Sequence, residues 1–441
     1  MDIAVCGTGY VGLVATVAFA AKGHTVIGMD IDQSKIDLLN AGVSPLFEPG
    51  LEDLLRASRE NLVFTSDPEK AYQSAEIVFI AVPTPEMADG NADLAYVESA
   101  CEQIIAYGSA VRFVVVKSTV PPGTNAKIQA LFDEKLAASG KHMEIISNPE
   151  FLSQGTALRD MMHPSRVVVG VASDAAAETM KELYESFEAP ILIMDIQSSE
   201  MVKYASNDFL ALKISYINEI ANLCDVVGAD VQRVAQGMGA DPRIGSAFLQ
   251  AGIGYGGSCF PKDTKALHWL STSHGREIKT VKAAIEVNKT QKLVLLSKAR
   301  ERHGSLQGKH VAVLGLSFKP QTDDLRDAPS LDVVESLLAE GSVVVAYDPC
   351  AMEAFNKVHP QSEQISYASS ALEALKGADM AFLLTEWEEI ASINQEEYIN
   401  QMKTAEIYDG RNMYSLNYFF SYPAINYISI GRPCLIGNLN D

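Results

Sequence analysis

The stretch GGSCFPKD, residues 256–263, sets Cys259 between a glycine pair and the dipeptide Lys262–Asp263. A structural cysteine usually sits inside an apolar run, and this one does not. A thiol that is a few per cent ionised at neutral pH is already a strong nucleophile, and Lys262 brings positive charge close to it in sequence. Gly256 and Gly257 give the backbone freedom to come near a ligand. A small buried cysteine in a glycine turn is the plain alternative on these residues alone. Cys6, Cys101, Cys224, Cys350 and Cys434 stand in apolar or ordinary contexts and read as structural. The six cysteines form no CxxC pair, and the eight histidines show no HxxxH or HExxH spacing. Neither a disulfide framework nor a metal site is therefore expected, and cysteine usage fits a reducing cytoplasm.

A second chemistry is written at the start of the chain. CGTGYVG places Gly7, Gly9 and Gly12 after an apolar strand and at the mouth of an apolar helix, and Asp30 closes the next strand. Gly7 permits the tight turn, Gly9 lets the backbone approach a pyrophosphate, and Gly12 lets helix and strand pack closely. An aspartate at the strand end hydrogen-bonds a ribose 2′-OH and repels a 2′-phosphate, so NAD is expected rather than NADP. Tyr10, Val11 and Lys35 are counted with this site. Thr84 in VPTP and Thr119 in KSTVPPGT follow later strands, where a doubly wound sheet puts its ligand contacts, though turn chemistry before proline would look the same.

The elements that must position these groups follow one plan twice. Residues 2–6, a glycine turn, a helix and residues 25–30 recur as residues 310–314, a turn at Gly315, a helix over about 328–340 and residues 342–347 before Asp348. Each copy continues to a further apolar strand, IVFIAVPTP and MAFLLTEW. Such alternation indicates parallel sheets with crossover helices. The fold class expected is α/β: two Rossmann-like doubly wound domains, residues 1–194 and 304–441, joined by a helical region over 195–303. In that region apolar residues recur near a 3.6 period from Met201 to Cys224, with Ser198 or Ser199 as cap and Gly228 as stop. This helix is expected to be about 40 Å long and to supply a dimer face. Lys203 and Asn207 lie four apart on it and share a face. On spacing alone they could be a solvated face.

With 441 residues and 47% apolar content, the chain can bury more than one core. Its net charge of −21 argues against binding to nucleic acid or an anionic membrane surface. No run of eighteen apolar residues predicts a membrane span, and Asp2 stands where a signal peptide would be basic.

The segments GTGYVGL, EPGL, KSTVPPGT, NPEFL, GTALRDMMHPSRVVVG, DPRIG, GIGYGGSCFPKDT, FKPQTDDLRDAPS, TEWEE and YDGRNMY, in that order, resemble the UDP-glucose/GDP-mannose dehydrogenase family over nearly the whole chain. The resemblance implies a two-step, four-electron oxidation of a nucleotide sugar's carbon-6 alcohol to a carboxylate, with two NAD per turnover. UDP-glucose is the expected substrate and GDP-mannose the alternative; a non-catalytic nucleotide-sugar binder on the same fold is a third reading. It also implies a homodimer built on the central helix, with the sugar's nucleotide held by the C-terminal domain.

Removal of a second hydride from an aldehyde first requires a nucleophile to make that carbon tetrahedral. Cys259 would do so through a thiohemiacetal, then a thioester open to water. The resemblance assigns Lys203 and Asn207 to the substrate site, where an ammonium and an amide could stabilise an alkoxide and an oxyanion. Asp263, Thr119 and Glu150 become the acid/base and water-orienting groups, with the first proton acceptor left open. Phe151, Leu152, Phe248, Leu249, Gly252, Tyr255 and Gly256 are implied to wrap the sugar diphosphate. Arg243 is implied to bind phosphate across the dimer, Lys319 to meet the diphosphate or sugar, and Lys262 and Arg326 to lie on the cofactor side. Two departures stand out: Gln154 where many relatives carry a glutamate, and Pro83 where many have Gly or Ala. Glutamine can orient water but cannot accept a proton, so Glu150 or Asp263 must carry any base role.

Overall fold

Short apolar runs, six of them buried along their whole length, build two sheets. The structure is a computed structural model describing residues 1–437; the far end of the C-terminal domain, residues 438–441, lies outside the described residues. The chain forms two units, Met1–Ser206 with Trp269–His274, and Asn207–His268 with the chain from Gly275 onward.

In the first unit the strands are β1 (Asp2–Cys6), β2 (Thr25–Met29), β3 (Leu62–Thr65), β4 (Ile77–Ile80), β5 (Phe113–Val116), β6 (Glu144–Ser147), β7 (Val167–Gly170) and β8 (Ile191–Met194). They lie in the order β3-β2-β1-β4-β5-β6-β7-β8. All neighbours pair in parallel except β6 and β7. The order reverses direction between β1 and β4, the switch point at which such sheets bind ligands.

In the second unit the strands are β9 (His310–Leu314), β10 (Val343–Tyr347), β11 (Ile365–Tyr367), β12 (Met380–Leu383), β13 (Glu406–Asp409) and β14 (Asn426–Ser429). Their order, β11-β10-β9-β12-β13-β14, repeats the plan of the first six strands and is parallel throughout. Each sheet has apolar clusters on its faces: Phe19, Phe79 and Val115 mark one in the first unit, and Val313, Phe382 and Tyr408 one in the second.

No strand intervenes between β8 and β9, and the long helix runs Ile196–Val227. At 32 residues it spans about 48 Å, longer than expected. Its start differs from the expected Ser198 or Ser199 cap. Asp195 Oδ1 accepts the Ser198 N–H at 2.8 Å, while Ser199 is fully buried with its hydroxyl 3.0 Å from that of Ser147. Aspartate caps as well as serine, and Ser199 is committed to packing. The far end is as read: Gly228, at φ 74°, donates to the Cys224 carbonyl.

Candidate active site

The glycine turn after β1 is built as its residue types require. Gly7 has φ 97°, and a Cβ there would lie 2.6 Å from the Ala81 carbonyl oxygen; a Cβ on Gly12 would lie 1.9 Å from that of Gly7. Gly9 faces open space and precedes the helix Tyr10–Ala21, with no side chain capping it. Its N-terminal N–H groups are left for an anion such as a diphosphate. Asp30 accepts from the Thr8 N–H and hydroxyl at 2.9 and 2.7 Å and from the Asp32 N–H at 3.0 Å, with Lys35 Nζ 4.0 Å away. Burial alone would raise its pKa, but the Thr8 and Asp32 hydrogen bonds and Lys35 hold it below the usual carboxylate value. The residues present thus fit NAD: an open glycine mouth and an ionised acid at the adjoining strand end.

Beside this turn, Tyr10 donates its hydroxyl to Glu48 of EPGL. Glu48 also accepts from the N–H groups of Gly155 and Leu158, at 2.8 and 3.1 Å. Tyr10 is thereby tied to the segment that follows Glu150. Val11 packs against the first unit's core. Thr84 spends its hydroxyl on the Thr119 carbonyl oxygen at 2.9 Å, so its visible work is to fix Thr119.

Glu150 and Lys203 form a buried ion pair at 2.9 Å, with side chains 6% and 4% exposed. The Leu152 N–H donates to the other carboxylate oxygen at 2.5 Å. Lys117 lies behind them, its ammonium donating to Asn148 Oδ1 at 3.2 Å. Burial pushes the Lys117 ammonium down to about 8, with Glu150 opposing and Lys203 adding to the effect. Burial likewise raises the Glu150 pKa, but Lys203, the Leu152 N–H and Lys117 together bring it below its ordinary value. Phe151 is covered by the Arg166 guanidinium at 3.9 Å, and Leu152 packs on the core. A cavity of about 270 Å³ opens among Lys117, Glu150, Phe151, Leu152, His163 and Arg166. Lys117 and Arg166 escaped sequence reading: each acts on a residue 33 or 15 positions away, with no local periodicity to signal it.

In the second unit the loop carrying Cys259 is fixed by the chain around it. Asn218 Oδ1 accepts the Gly252 N–H, and Asn288 pairs with both the N–H and C=O of Tyr255. Arg411 donates to the Gly254 carbonyl at 2.9 Å, and the Gly257 N–H to that of Arg326 at 2.7 Å. The glycines serve this packing: a Cβ on Gly256 would meet the Asp327 carbonyl at 2.5 Å, and one on Gly257, at φ 84°, the Phe318 ring at 2.8 Å. The close approach expected of them is thus to the protein's own chain. Phe248 holds φ 64° and is exposed, whereas Leu249 and Tyr255 are buried.

Cys259 is half-buried and immediately precedes the helix Phe260–Ser273, its carbonyl accepting the Asp263 N–H at 2.8 Å. The positive end of that helix favours a thiolate. Asp263 is 1% exposed and receives Asn207 Nδ2 and Lys262 Nζ, both at 2.6 Å. Lys262 therefore neutralises Asp263 rather than standing as a separate charge. The Arg326 guanidinium, held by Asp324 at 2.7 Å, is a cation within electrostatic reach of the Cys259 sulfur. Lys319 lies 5.4 Å from the Phe318 ring centre. Arg243 stands apart, exposed and paired with Asp241. Burial drives the thiols of Cys6 and Cys101 up to about 11 and about 12, which leaves them inert.

Residues 1–188 match the NAD binding domain of the UDP-glucose/GDP-mannose dehydrogenase family, residues 197–290 its central domain and residues 312–416 its UDP binding domain. The chain belongs to this family. It is 46% identical to the UDP-glucose 6-dehydrogenase YwqF of Bacillus subtilis (strain 168), over 99% of both chains. It is 42% identical to the UDP-glucose 6-dehydrogenase of Rhizobium meliloti (strain 1021), over 98% of this chain and 100% of that one. The solved UDP-glucose dehydrogenase of Pyrobaculum islandicum superposes with a TM-score of 0.90 at 38% identity, covering 98% of each chain.

The sheet that repeats the plan of the first lies in the match to the family's UDP binding domain, and its strand-end acid is engaged differently from Asp30. Asp348, the counterpart of Asp30 in strand order, is fully buried. It accepts from the Leu316 and Ser317 N–H groups at 2.7 and 3.0 Å and from Trp387 Nε1 at 3.1 Å. The acid that would meet a ribose is consumed by Trp387 of TEWEE. Gln154, the departure from the family pattern, is half-buried with Oε1 unpartnered; Pro83 is exposed.

Proposed function

We propose that the chain oxidises UDP-glucose to UDP-glucuronate: UDP-glucose, two NAD⁺ and water give UDP-glucuronate and two NADH, with protons released to solvent. The observation that carries this reading is Cys259, set at a helix N-terminus in a clamped loop, with Asp263, Asn207 and Lys262 joined one turn further on. NAD, when bound, takes up a hydride in each of the two oxidations. The residues do the rest. Asp263, one turn along the helix that begins after Cys259, is assigned as the acceptor of the carbon-6 hydroxyl proton. Lys203 and Asn207 stabilise the alkoxide and then the oxyanion formed when the Cys259 sulfur bonds to the aldehyde carbon. Loss of the second hydride leaves a thioester. Water, oriented by Glu150, Thr119 and Gln154, breaks the carbon–sulfur bond and returns the thiol.

The cofactor side is assigned to Gly7, Gly9, Tyr10, Val11, Gly12, Asp30, Lys35, Thr84, Thr119, Lys262 and Arg326. The sugar diphosphate falls to Phe151, Leu152, Phe248, Leu249, Gly252, Tyr255, Gly256 and Lys319, with Arg243 reaching a second copy's ligand. In this reading residues 1–194 bind NAD, 195–303 build a homodimer and 304–441 hold the UDP group. Among the described residues no helix is long and apolar enough to cross a membrane, and the unpaired cysteines support work in the cytoplasm.

NADH release is measured with UDP-glucose, GDP-mannose and UDP-N-acetylmannosamine, together with sugar consumed. Two NADH per UDP-glucose, with the other sugars turned over at least tenfold more slowly, is the expected result. One NADH per sugar, or a preference for GDP-mannose, would overturn the reading.

A further inference from the structure

Asp208 follows Asn207 on the long helix, is 4% exposed, and has no hydrogen-bond partner on either carboxyl oxygen. Asp263 lies within electrostatic reach of it. Two carboxylates so close and so far from water cannot both ionise cheaply. The donors decide which one does. Asn207 and Lys262 both serve Asp263, at 2.6 Å each, and no other residue donates to the Asp208 carboxyl. The negative charge therefore belongs to Asp263 and the proton to Asp208.

We propose that Asp208 is a positioning residue for Asp263: it carries the one proton of this carboxyl pair, so that a single negative charge, not two, stands beside the Asn207–Asp263 hydrogen bond. The proposal rests on the reading of Asp263 as the catalytic acid/base. Burial, then the charge of Asp263, push the Asp208 carboxyl up to about 8, its own backbone N–H opposing weakly. The groups facing it are Asp263 on the helix Phe260–Ser273 and Tyr255 in the loop before that helix. Burial above all pushes the Tyr255 phenol up to about 12, so it stays neutral through this range. The reaction adds negative charge in the same unit, as the thiolate of Cys259 and then the oxyanion on the carbon it attacks. A second fixed charge opposes each of these. When Asp208 gives its proton to solvent above pH 8, the rate should fall.

The test compares wild-type protein with Asp208→Asn, whose amide is neutral at every pH. At one pH unit above the midpoint only about a tenth of Asp208 keeps its proton. The ratio of kcat at pH 9 to kcat at pH 7 is therefore expected to be about tenfold higher in D208N than in wild type. Infrared spectroscopy of the wild type, which needs neither turnover nor a variant, should show a protonated-carboxyl carbonyl band that bleaches between pH 7 and pH 9. That band should be missing from D208N or, should D208N not fold, from Asp208→Ala. An alkaline limb unchanged in D208N would overturn the proposal, as would an infrared band that is absent from the wild type or survives in the variant. Failure of the wild type to oxidise UDP-glucose would sink the functional reading, while the infrared result still decides the state of Asp208.

Discussion

Glu150 and Lys203 face each other at 2.9 Å with almost no access to water, and Lys117 stands behind them. Changing Glu150 to Gln removes the carboxylate that faces these two buried ammonium groups. Breaking a buried pair from one side costs roughly 3–5 kcal/mol, so E150Q should unfold at clearly lower urea, as followed by circular dichroism. The pH dependence has a definite sign. The Glu150 pKa is depressed in the folded state. Its contribution is present above the unfolded value of about 4.3 and is lost as pH falls through the folded value. Wild-type stability should therefore drop more steeply than that of E150Q as the solution is acidified below about pH 4.3. The two ends of the pair were named only through the family resemblance, since on spacing alone Lys203 could be a solvated face. Lys117 was not named, because what makes it matter is burial against Glu150, and burial of a lysine has no sequence signal.

At the scale of elements, the glycine turns and the alternation of strand and helix sufficed to read three adjoining strands of each sheet, because a turn at positive φ and an apolar strand leave local traces; the antiparallel pairing of β6 with β7 left none. The start of the long helix was misread because Asp195, Ser198 and Ser199 are all acceptable caps, and only the packing of Ser199 on Ser147 separates them. The same helix bears on assembly. Phe209, Tyr216 and Leu223 recur every seventh residue and are 61%, 48% and 57% exposed, with Val226 at 82% near its end. A large apolar stripe left in water is unusual for a monomer, and a second copy of this chain is the occupant assigned above. Replacing Phe209 and Leu223 together with Asp should turn a dimer into a monomer in sedimentation velocity while circular dichroism is unchanged. Sedimentation of the unaltered protein as a monomer at micromolar concentration would remove the assignment.

In the molecule as a whole, one fold plan is used twice for two ligands. The first copy keeps Gly9 facing open space and Asp30 ionised at its strand end; the second buries Asp348 against Trp387. That difference is half legible in the sequence: residues 315–320, GLSFKP, carry one glycine where residues 7–12 carry three, but the occupation of Asp348 by an indole lying 39 residues away was not readable. The thiol to which the second oxidation is assigned was the clearest signal in the sequence, and the glycines before it proved to serve the loop's own packing. The most direct measurement of its role uses Cys259→Ser with UDP-glucose and NAD, quenched over time, with intact-protein mass and free product followed together. An alkoxide leaves less readily than a thiolate, so the expected result is sugar held on the protein at residue 259 or stalled at the aldehyde level, with release of UDP-glucuronate slowed at least a hundredfold. Release at the wild-type rate, with two NADH per sugar, would contradict it.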